Sequence, residues 1–253
     1  LRESGYFLGC HHSIPEDVSI EFVEEPWDLP DSYLCFPPPL DDIAVEPLPA
    51  LRNGFITFGC FNNLLKMGDA VVALWAQVLQ AVPSSRLFLK TIQLNDTSMQ
   101  QITRARFAAH GIESERLILE GPAPRQELLA SYNRVGMALD PVPFPGGTTS
   151  IESLWMGVPV LNLQGDRFLS HVGESILHTA GLPEWIAKDA DDYVTRAVSF
   201  TRDLENLAAL RSVLRPQLVA SPLCTAPLFA SNLEVAFRGM WKAHCAQTKV
   251  SNL

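Results

Sequence analysis

A glycine- and threonine-rich loop, Gly146-Gly147-Thr148-Thr149, precedes a short amphipathic segment that the sequence predicts as a helix. The loop follows an apolar run that ends at Asp140 and is typical of a buried strand. Backbone N–H groups at the start of a helix are unpaired and lie at the positive end of the helix dipole, so such a loop can bind a phosphate. We therefore interpret this loop as a candidate site for the diphosphate of a nucleotide.

An alternative explanation of the same segment needs no ligand. Thr149 and Glu152 have the spacing of a capping box, in which the threonine oxygen accepts a backbone N–H and the glutamate reaches back to the start of the helix. Gly146 and Gly147 would then belong to an ordinary loop. Their spacing matches neither the P-loop nor the dinucleotide-binding glycine pattern, so spacing alone leaves both interpretations open.

Two further loops carry side chains suited to a nucleotide. Asn62, Asn63 and Lys66 follow the first predicted strand of the body, and Ala123 and Arg125 follow the third. Because ligands bind beyond the carboxyl ends of parallel strands, we expect all three loops to converge. Their lysine, arginine, amides and helix N-terminus suit a nucleoside diphosphate better than a metal or an acid–base pair. Lys66 could equally be a solvated loop lysine, and the two asparagines could form a turn.

The histidines form no recognisable catalytic or metal-binding pattern. His11 and His12 are adjacent, so in an extended segment their side chains point in opposite directions and a shared ligand is not expected. His171 and His178 are spaced to share a helix face, but no carboxylate partner is evident for either. We interpret them as packing or surface residues.

Composition argues against several classes of partner. The chain of 253 residues has a formal charge of −9, so it lacks the excess of Lys and Arg that general nucleic-acid binding needs. It contains no run of about 20 apolar residues that could span a membrane, and no signal-peptide pattern. The five cysteines are odd in number and scattered, which indicates a reduced, cytoplasmic chain. Because the first residue is not Met, we expect a fragment or a processed piece.

From Gly54 onward, continuously apolar segments alternate with segments of helical periodicity. This alternation predicts an α/β fold, with a Rossmann-like parallel sheet covered by helices on both faces and a helical tail over about 189–246. The predicted strands are 55–61, 86–90, 116–120, 135–140 and 158–163. The predicted helices are 69–82, 98–110, 124–134, the segment after Gly147, 170–180, 191–207, 208–219 and 226–243.

Residues 1–52 differ from this body, which we assign to residues 53–253. They are dense in proline, which blocks helix interiors and central strands, so we predict an extended connector with one short strand at Ser32–Phe36. Its aromatic residues favour burial, so we expect the connector to wrap over the body of the fold.

Four segments that carry these candidate residues occur in a fixed order. They are 58–66 (FGCFNNLLK), 74–86 (beginning LW and ending VPSSR), 123–125 (APR) and 146–159 (GGTTSIESLWMGVP). Together they resemble the carboxyl-terminal catalytic region of O-linked N-acetylglucosamine transferases, in particular the SPINDLY-like branch. The resemblance extends from about residue 15 to about residue 244, and four ordered motifs are far more specific than any one loop.

The resemblance implies the second lobe of a GT-B glycosyltransferase, which holds most of the nucleotide-sugar. It also implies that the connector packs on the tail helices. It implies that Asn63 and Lys66 contact the donor diphosphate, and that Thr148 and Thr149 bind phosphate after the Gly146–Gly147 turn. Lys66 would be catalytic, because its charge would stabilise the leaving diphosphate where other enzymes use a metal. No metal and no cofactor besides the donor are implied.

The remaining implied roles concern the nucleoside. Glu152 would accept the ribose hydroxyls in place of the usual aspartate, and Ala123 would meet the base through its backbone, with Arg125 beside it. This sequence departs from the family at two nearby positions: Gly147 and Leu128 stand where the animal-type enzymes have histidines. The base and the sugar of the donor are therefore open.

The implied function is an inverting, metal-independent protein O-glycosyltransferase. UDP-GlcNAc is the favoured donor and GDP-fucose the other candidate. The acceptor would be a protein Ser or Thr, presented by a first lobe and by TPR repeats that this chain lacks. The alternative is a non-catalytic nucleotide-binding or scaffold module, supported by the departures above and by His171, which replaces an arginine common among relatives. A nucleotide-sugar epimerase is a weaker alternative, because its catalytic carboxylates and histidine cannot be placed.

Overall fold

The structure is a computed structural model that describes residues 5–15, 22–40 and 43–250. Parallel pairing joins all of its strands. The strands are β1 (Tyr6–Cys10), β2 (Glu25–Leu29), β3 (Thr57–Cys60), β4 (Arg86–Lys90), β5 (Leu117–Glu120), β6 (Met137–Leu139), β7 (Val160–Leu163) and β8 (Ile186–Ala187).

Helices connect these strands and form the tail. They are α1 (Pro49–Asn53), α2 (Asp69–Ala81), α3 (Thr97–Ala108), α4 (Arg125–Ser131), α5 (Thr148–Trp155), α6 (His171–Thr179), α7 (Ala190–Arg202), α8 (Leu204–Ala220) and α9 (Ala226–Val250). Short 3-10 turns separate several of them, among them Leu64–Lys66 after β3 and Tyr132–Arg134 after α4.

The central sheet has the strand order β5-β4-β3-β6-β7-β8. The chain therefore adds strands outward from β3 in one direction, then returns to the middle and adds β6, β7 and β8 in the other. Because parallel crossovers are right-handed, this reversal places the connecting helices on opposite faces of the sheet. It is the Rossmann order, with its switch point between β3 and β6. The predicted α/β class and Rossmann-like parallel sheet are confirmed.

Burial on both faces explains why the strands are apolar throughout. Phe58 of β3 and Leu87 of β4 have no exposed surface, and neither does Trp75, which α2 packs onto the sheet. Each such side chain contributes roughly 1.5–3 kcal/mol relative to an exposed one. Gly59 allows the closest approach, because a Cβ at this position would lie 2.7 Å from the methyl groups of Val135.

The N-terminal segment differs from the prediction. The strand expected at Ser32–Phe36 is absent from the described residues, which instead pair β1 with β2 as a separate two-stranded sheet. Three prolines follow Phe36, and its own N–H donates to the carbonyl of Leu223 in the tail (2.7 Å). The connector boundary placed at residue 52 falls inside α1. The remaining connector residues, 1–4, 16–21 and 41–42, lie outside the described ranges.

The expected packing of the connector on the tail helices is confirmed. Trp27 of β2 lies against Gly239 of α9, and Asn232 of the same helix donates to Asp31 Oδ2 (3.0 Å). The first tail helix ends earlier than predicted, at Arg202, because the Asp203 side chain caps α8 by accepting the N–H of Asn206. Within the described ranges, no helix is both long and apolar enough to cross a membrane.

A buried arginine links the tail, the connector and the sheet. Arg211 of α8 donates to the carbonyls of Glu46 (2.7 Å) and Val135 (2.8 Å) and to Asn133 Oδ1 (3.3 Å). Its side chain is almost fully buried, and burial lowers the pKa of its guanidinium to about 10.

We expect Arg211→Ala to lower the free energy of unfolding by about 3 kcal/mol, because it leaves buried acceptors unpaired and opens a cavity. Urea denaturation measures this value. Arg202→Ala, at an exposed position, is the matched control and should change it by less than about 0.5 kcal/mol. Equal effects of the two substitutions would show that the buried arginine does not hold these segments together.

Candidate functional site

The loops after β3 and β6 meet at the switch point of the sheet. The loop after β3 turns through Leu64–Lys66, and the loop after β6 runs from Asp140 to Gly147, with a cis peptide at Val142–Pro143. Lys66 Nζ donates to the Pro145 carbonyl at 2.8 Å and so connects the two loops directly. The predicted convergence of these loops is confirmed.

Lys66, predicted as the catalytic cation, is half-buried and held from several sides. Besides Pro145, its ammonium group donates to Asn62 Oδ1 (3.3 Å) and lies 3.9 Å from the centroid of the Phe144 ring. Burial lowers the pKa of Lys66, whereas the neighbouring Asp140 acts in the opposite direction. These contacts give the ammonium a defined position, which a freely solvated loop lysine would not have.

Asn62 joins the two loops through its side-chain amide. Its Nδ2 donates to Asp140 Oδ1 (3.3 Å), while its Oδ1 accepts from Lys66 Nζ and from Thr149 Oγ1 (3.0 Å). The two residues predicted to bind phosphate, Lys66 and Thr149, therefore share one acceptor atom. The sequence alone did not show which of the two loop asparagines, Asn62 or Asn63, connects these residues.

The other asparagine, Asn63, lies at the edge of this arrangement. Its side chain caps the turn after β3 by accepting the N–H of Leu65 (2.9 Å), and it also accepts from Gln93 Nε2 (2.6 Å). The residue is exposed. The role of Asn63 at the diphosphate stays a prediction.

Asp140, which the sequence showed only as the end of an apolar run, is buried beneath the loop that follows β6. Its carboxylate accepts from the N–H of Gly146 (3.0 Å) and from Ser150 Oγ (3.0 and 2.8 Å), in addition to Asn62. Burial raises the pKa of Asp140 to about 6, although these hydrogen bonds act to lower it. An aspartate that ends an apolar strand at the carboxyl edge of a sheet is the signal that could have identified it.

The predicted helix after Gly147 is α5, and its first turn contradicts the capping-box alternative. Gly147 is the N-cap residue, and no side chain caps the helix. Thr149 donates to Asn62, and Glu152 is paired elsewhere, so neither bonds back to the helix start. The first intrahelical bonds run from Ser150 and Ile151 to the Gly147 carbonyl, which leaves the N–H groups of the two threonines directed out of the helix end.

The loop after β5 reaches the same site through an ion pair. Arg125, the first residue of α4, is hydrogen-bonded to Glu152 of α5 through its Nη1. The glutamate side chain is almost fully buried, whereas about half of the arginine side chain is exposed. Ala123, the residue predicted to meet the base, is half-buried in the irregular segment just before α4. The three predicted loops thus lie at one edge of the sheet.

The histidines behave partly as expected. His12 stacks on His178 of α6 with ring centroids 4.0 Å apart, and burial lowers the pKa of both. The expectation that His171 lacks a carboxylate partner is wrong, because its Nδ1 lies 2.8 Å from Glu174 Oε1 one helical turn later. Among the described residues, no group of three or more His, Cys, Asp or Glu side chains is arranged to hold a metal.

A parallel α/β lobe with this strand order, and with a cation and a helix N-terminus at its switch point, has the architecture of a lobe of a GT-B glycosyltransferase. The chain belongs to glycosyl transferase family 41, whose sequence model matches residues 47–233. The resemblance stated from the sequence motifs is confirmed.

Individual relatives agree with this assignment. The chain is 40% identical over 232 residues to a probable UDP-N-acetylglucosamine–peptide N-acetylglucosaminyltransferase, SPINDLY, of Arabidopsis thaliana. The aligned region covers 91% of this chain but 25% of that protein. A second Arabidopsis relative, named SEC, is 30% identical over 190 residues, or 75% of this chain and 19% of its own length. The chain therefore spans about a quarter or less of these relatives.

Solved structures show the same fold. A mutant of the O-GlcNAc transferase of Thermobaculum terrenum superposes with a TM-score of 0.89 and 37% identity, covering 96% of this chain and 46% of that one. Sucrose-phosphate synthase from Thermosynechococcus elongatus superposes with a TM-score of 0.58 at 16% identity, covering 94% of this chain and 59% of that one. The second likeness concerns the fold alone.

The raised pKa of Asp140 predicts a specific dependence of stability on pH. A carboxyl group whose pKa rises from 3.8 to about 6 on folding binds its proton more tightly in the folded chain. Its protonation therefore stabilises the fold as the pH falls, and this stabilisation is lost as the pH rises through about 6. Between pH 7 and pH 4, wild type should gain about 2 kcal/mol relative to Asp140→Asn. Parallel curves of unfolding free energy against pH for the two proteins would contradict this.

Proposed function

We propose that this chain is the donor-binding lobe of an inverting, metal-independent protein O-glycosyltransferase. The observation that carries the proposal is the position of Lys66 opposite the N-terminus of α5, at the switch point of a Rossmann-like sheet. Because ligands of such sheets bind at this point, a nucleotide diphosphate would lie between a cation and unpaired backbone N–H groups. Membership of family 41 supports the reaction class.

The proposed reaction is a displacement at the anomeric carbon of the sugar. A Ser or Thr hydroxyl oxygen of the acceptor forms the new bond, its proton passes to a base, and the sugar–phosphate bond breaks with inversion. The diphosphate leaves with the bonding electrons and gains negative charge. A cation already held in place stabilises that charge without reorganising at the moment of reaction. Lys66 would act in this way, helped by the dipole and the first N–H groups of α5.

The nucleoside would lie about one turn further along the same helix. Glu152 has a second carboxylate oxygen besides the one that accepts from Arg125, so it could accept ribose hydroxyls while the ion pair persists. The backbone of Ala123 would meet the base. We propose UDP-GlcNAc as donor because the relatives named above are described as transferases of N-acetylglucosamine from this donor. GDP-fucose is the other candidate.

The acceptor would be a protein, bound by parts of a longer polypeptide that include a first lobe and TPR repeats. The chain spans 25% of the SPINDLY relative, so an isolated lobe is expected to bind donor without transferring sugar. We further propose a cytoplasmic setting, with no nucleic-acid or membrane partner and no metal.

The second candidate function is a nucleotide-binding or scaffold module without catalysis. Leu128 and Gly147, which depart from the family pattern, support it. Leu128 is half-buried on α4, next to the segment proposed to meet the base. Such a module would keep affinity for a nucleotide, so binding alone does not distinguish the two functions. A full-length protein that binds donor but labels no protein or peptide would establish the scaffold function.

Calorimetric titration of the chain with UDP, UDP-GlcNAc, GDP and GDP-fucose tests the proposal. We expect the chain to bind either the two uridine ligands or the two guanosine ligands, and the pair that binds would identify the base. If a folded chain binds none of the four at millimolar concentration, and the full-length protein binds none either, the proposal fails.

We expect Lys66→Ala to weaken binding of the preferred nucleoside diphosphate by about 1–3 kcal/mol, because a charge-assisted hydrogen bond to phosphate is lost. Lys188→Ala is the control, since that lysine is largely exposed and its ammonium is paired only at long range, 3.9 Å from Asp189. Melting temperatures without ligand should be close to that of wild type for both variants. A large fall for Lys66→Ala, with unchanged affinity, would make Lys66 a structural residue.

A further inference from the structure

One buried carboxylate lies at the centre of the candidate site without being accessible to a ligand. Asp140 is 2% exposed, yet its oxygens accept from groups on three separate segments. These are the loop after β3 through Asn62, the turn before α5 through the Gly146 N–H, and the first turn of α5 through the Ser150 hydroxyl. No other described side chain in the site touches all three.

The contacts continue outward from Asn62 to the residues that would touch phosphate. Asn62 uses Nδ2 to donate to Asp140, which fixes its amide so that Oδ1 points the other way. That oxygen accepts from Lys66 Nζ and Thr149 Oγ1. The orientation of Asn62 thus sets where both groups lie, and the acceptor on Asp140 sets the orientation of Asn62.

Gly146 shows how closely the turn is fitted to this carboxylate. A Cβ at this position would lie 2.2 Å from Ser150 Oγ and 3.0 Å from Asp140 Oδ1. The backbone therefore passes directly over the carboxylate, and only a glycine leaves room for the N–H to donate to it. This contact places the N-terminus of α5 at a fixed distance from β6.

Two physical effects oppose retaining a charged residue here. Burial raises the pKa of Asp140, so its charge is a cost to the folded chain at neutral pH. Its negative charge would also repel a bound diphosphate. Against these two costs stand the hydrogen bonds from three segments, and a local conflict of this kind is typical of a functional site.

We propose that Asp140 is a positioning residue: through Asn62 it holds Lys66 and Thr149, and through Gly146 it holds the N-terminus of α5, in the arrangement that receives the donor diphosphate. It acts through these residues and does not touch the ligand. The inference rests on the proposed function for the identity of the ligand, but the arrangement itself can be tested without any ligand.

The binding test uses Asp140→Asn, which keeps the shape of the side chain and removes its charge. It also replaces one acceptor oxygen by an NH₂ group that can only donate, so the hydrogen bonds that hold Asn62, Gly146 and Ser150 are weakened. If charge alone mattered, this variant would bind the preferred nucleoside diphosphate more tightly than wild type. Positioning predicts the opposite sign, with affinity about tenfold weaker by calorimetry. Glu174→Gln is the matched control, because Glu174 is also a buried carboxylate with a raised pKa but bonds to His171 instead of the site. Its affinity should equal that of wild type.

A double-mutant cycle tests whether the effect passes through Asn62. If it does, Asp140→Asn should add little in an Asn62→Ala background, so that the two effects are clearly less than additive. Full additivity, or tighter binding by Asp140→Asn, would overturn the proposal.

Hydrogen exchange tests the same claim in the free chain. In Asp140→Ala, which removes every acceptor, the amides from Gly146 to Ser150 should exchange at least about tenfold faster, while those of β4 keep their wild-type rates. Unchanged exchange over this turn would overturn the proposal. A chain that shows faster exchange but whose wild type binds no nucleotide would keep Asp140 as the organiser of this turn and would instead refute the proposed function. If Asp140→Ala does not fold, the binding cycle with Asp140→Asn decides.

Discussion

The reversal of strand order between β3 and β6 is the constraint on which the rest of this structure depends. The segment after β3 and the segment after β6 leave the sheet toward opposite faces. A crevice therefore opens between them at the carboxyl ends of these neighbouring strands. Every residue in the candidate site lies on a segment that leaves this edge. Because the crossovers must pass on opposite faces of the sheet, no helix closes the crevice, and polar side chains can gather there without a covering apolar layer.

The two lysines that follow or end neighbouring strands are held in different ways. Lys90, at the end of β4, is paired with Glu120 (3.1 Å), which also accepts from Arg134 (2.7 Å), an arrangement that lowers the pKa of this glutamate. Within the site, the partners of Lys66 are a carbonyl, an amide oxygen and an aromatic ring, and no carboxylate of the described residues accepts directly from its ammonium group. Its charge is therefore left available to an anionic ligand, at a cost in desolvation.

The sheet and its helices could be predicted closely from the sequence, because each strand is buried on both faces and reads as a continuous apolar run. The structure of the connector could not be predicted in the same way. Parallel pairing of β1 with β2 depends on a segment that folds back over the tail, and proline density masks the short strands. The region around Ser32–Phe36 has a strand-like composition, but the Phe36 N–H donates to the tail and the Leu34 N–H donates to the Ser32 hydroxyl instead of to a strand.

The candidate site could be predicted as three loops but not as a network. Spacing located Lys66, Thr149 and Glu152, and their family resemblance suggested roles. It could not show that Asn62 and Asp140 bond to each other, because they are 78 residues apart and become neighbours only through the crossover that places β6 beside β3. The sequence pattern of Thr149 and Glu152 fitted a capping box equally well. In the structure Thr149 bonds to Asn62 in the loop after β3, and Glu152 bonds to Arg125 at the start of α4.

Binding of a diphosphate in the crevice between β3 and β6 can be observed in a crystal structure of the chain with UDP or GDP bound. We expect a phosphate oxygen about 3 Å from Lys66 Nζ and another at the same distance from a backbone N–H of Thr148 or Thr149. A nucleotide bound elsewhere, for example in the open cleft of about 410 Å³ between Trp185 and Leu207, would contradict it.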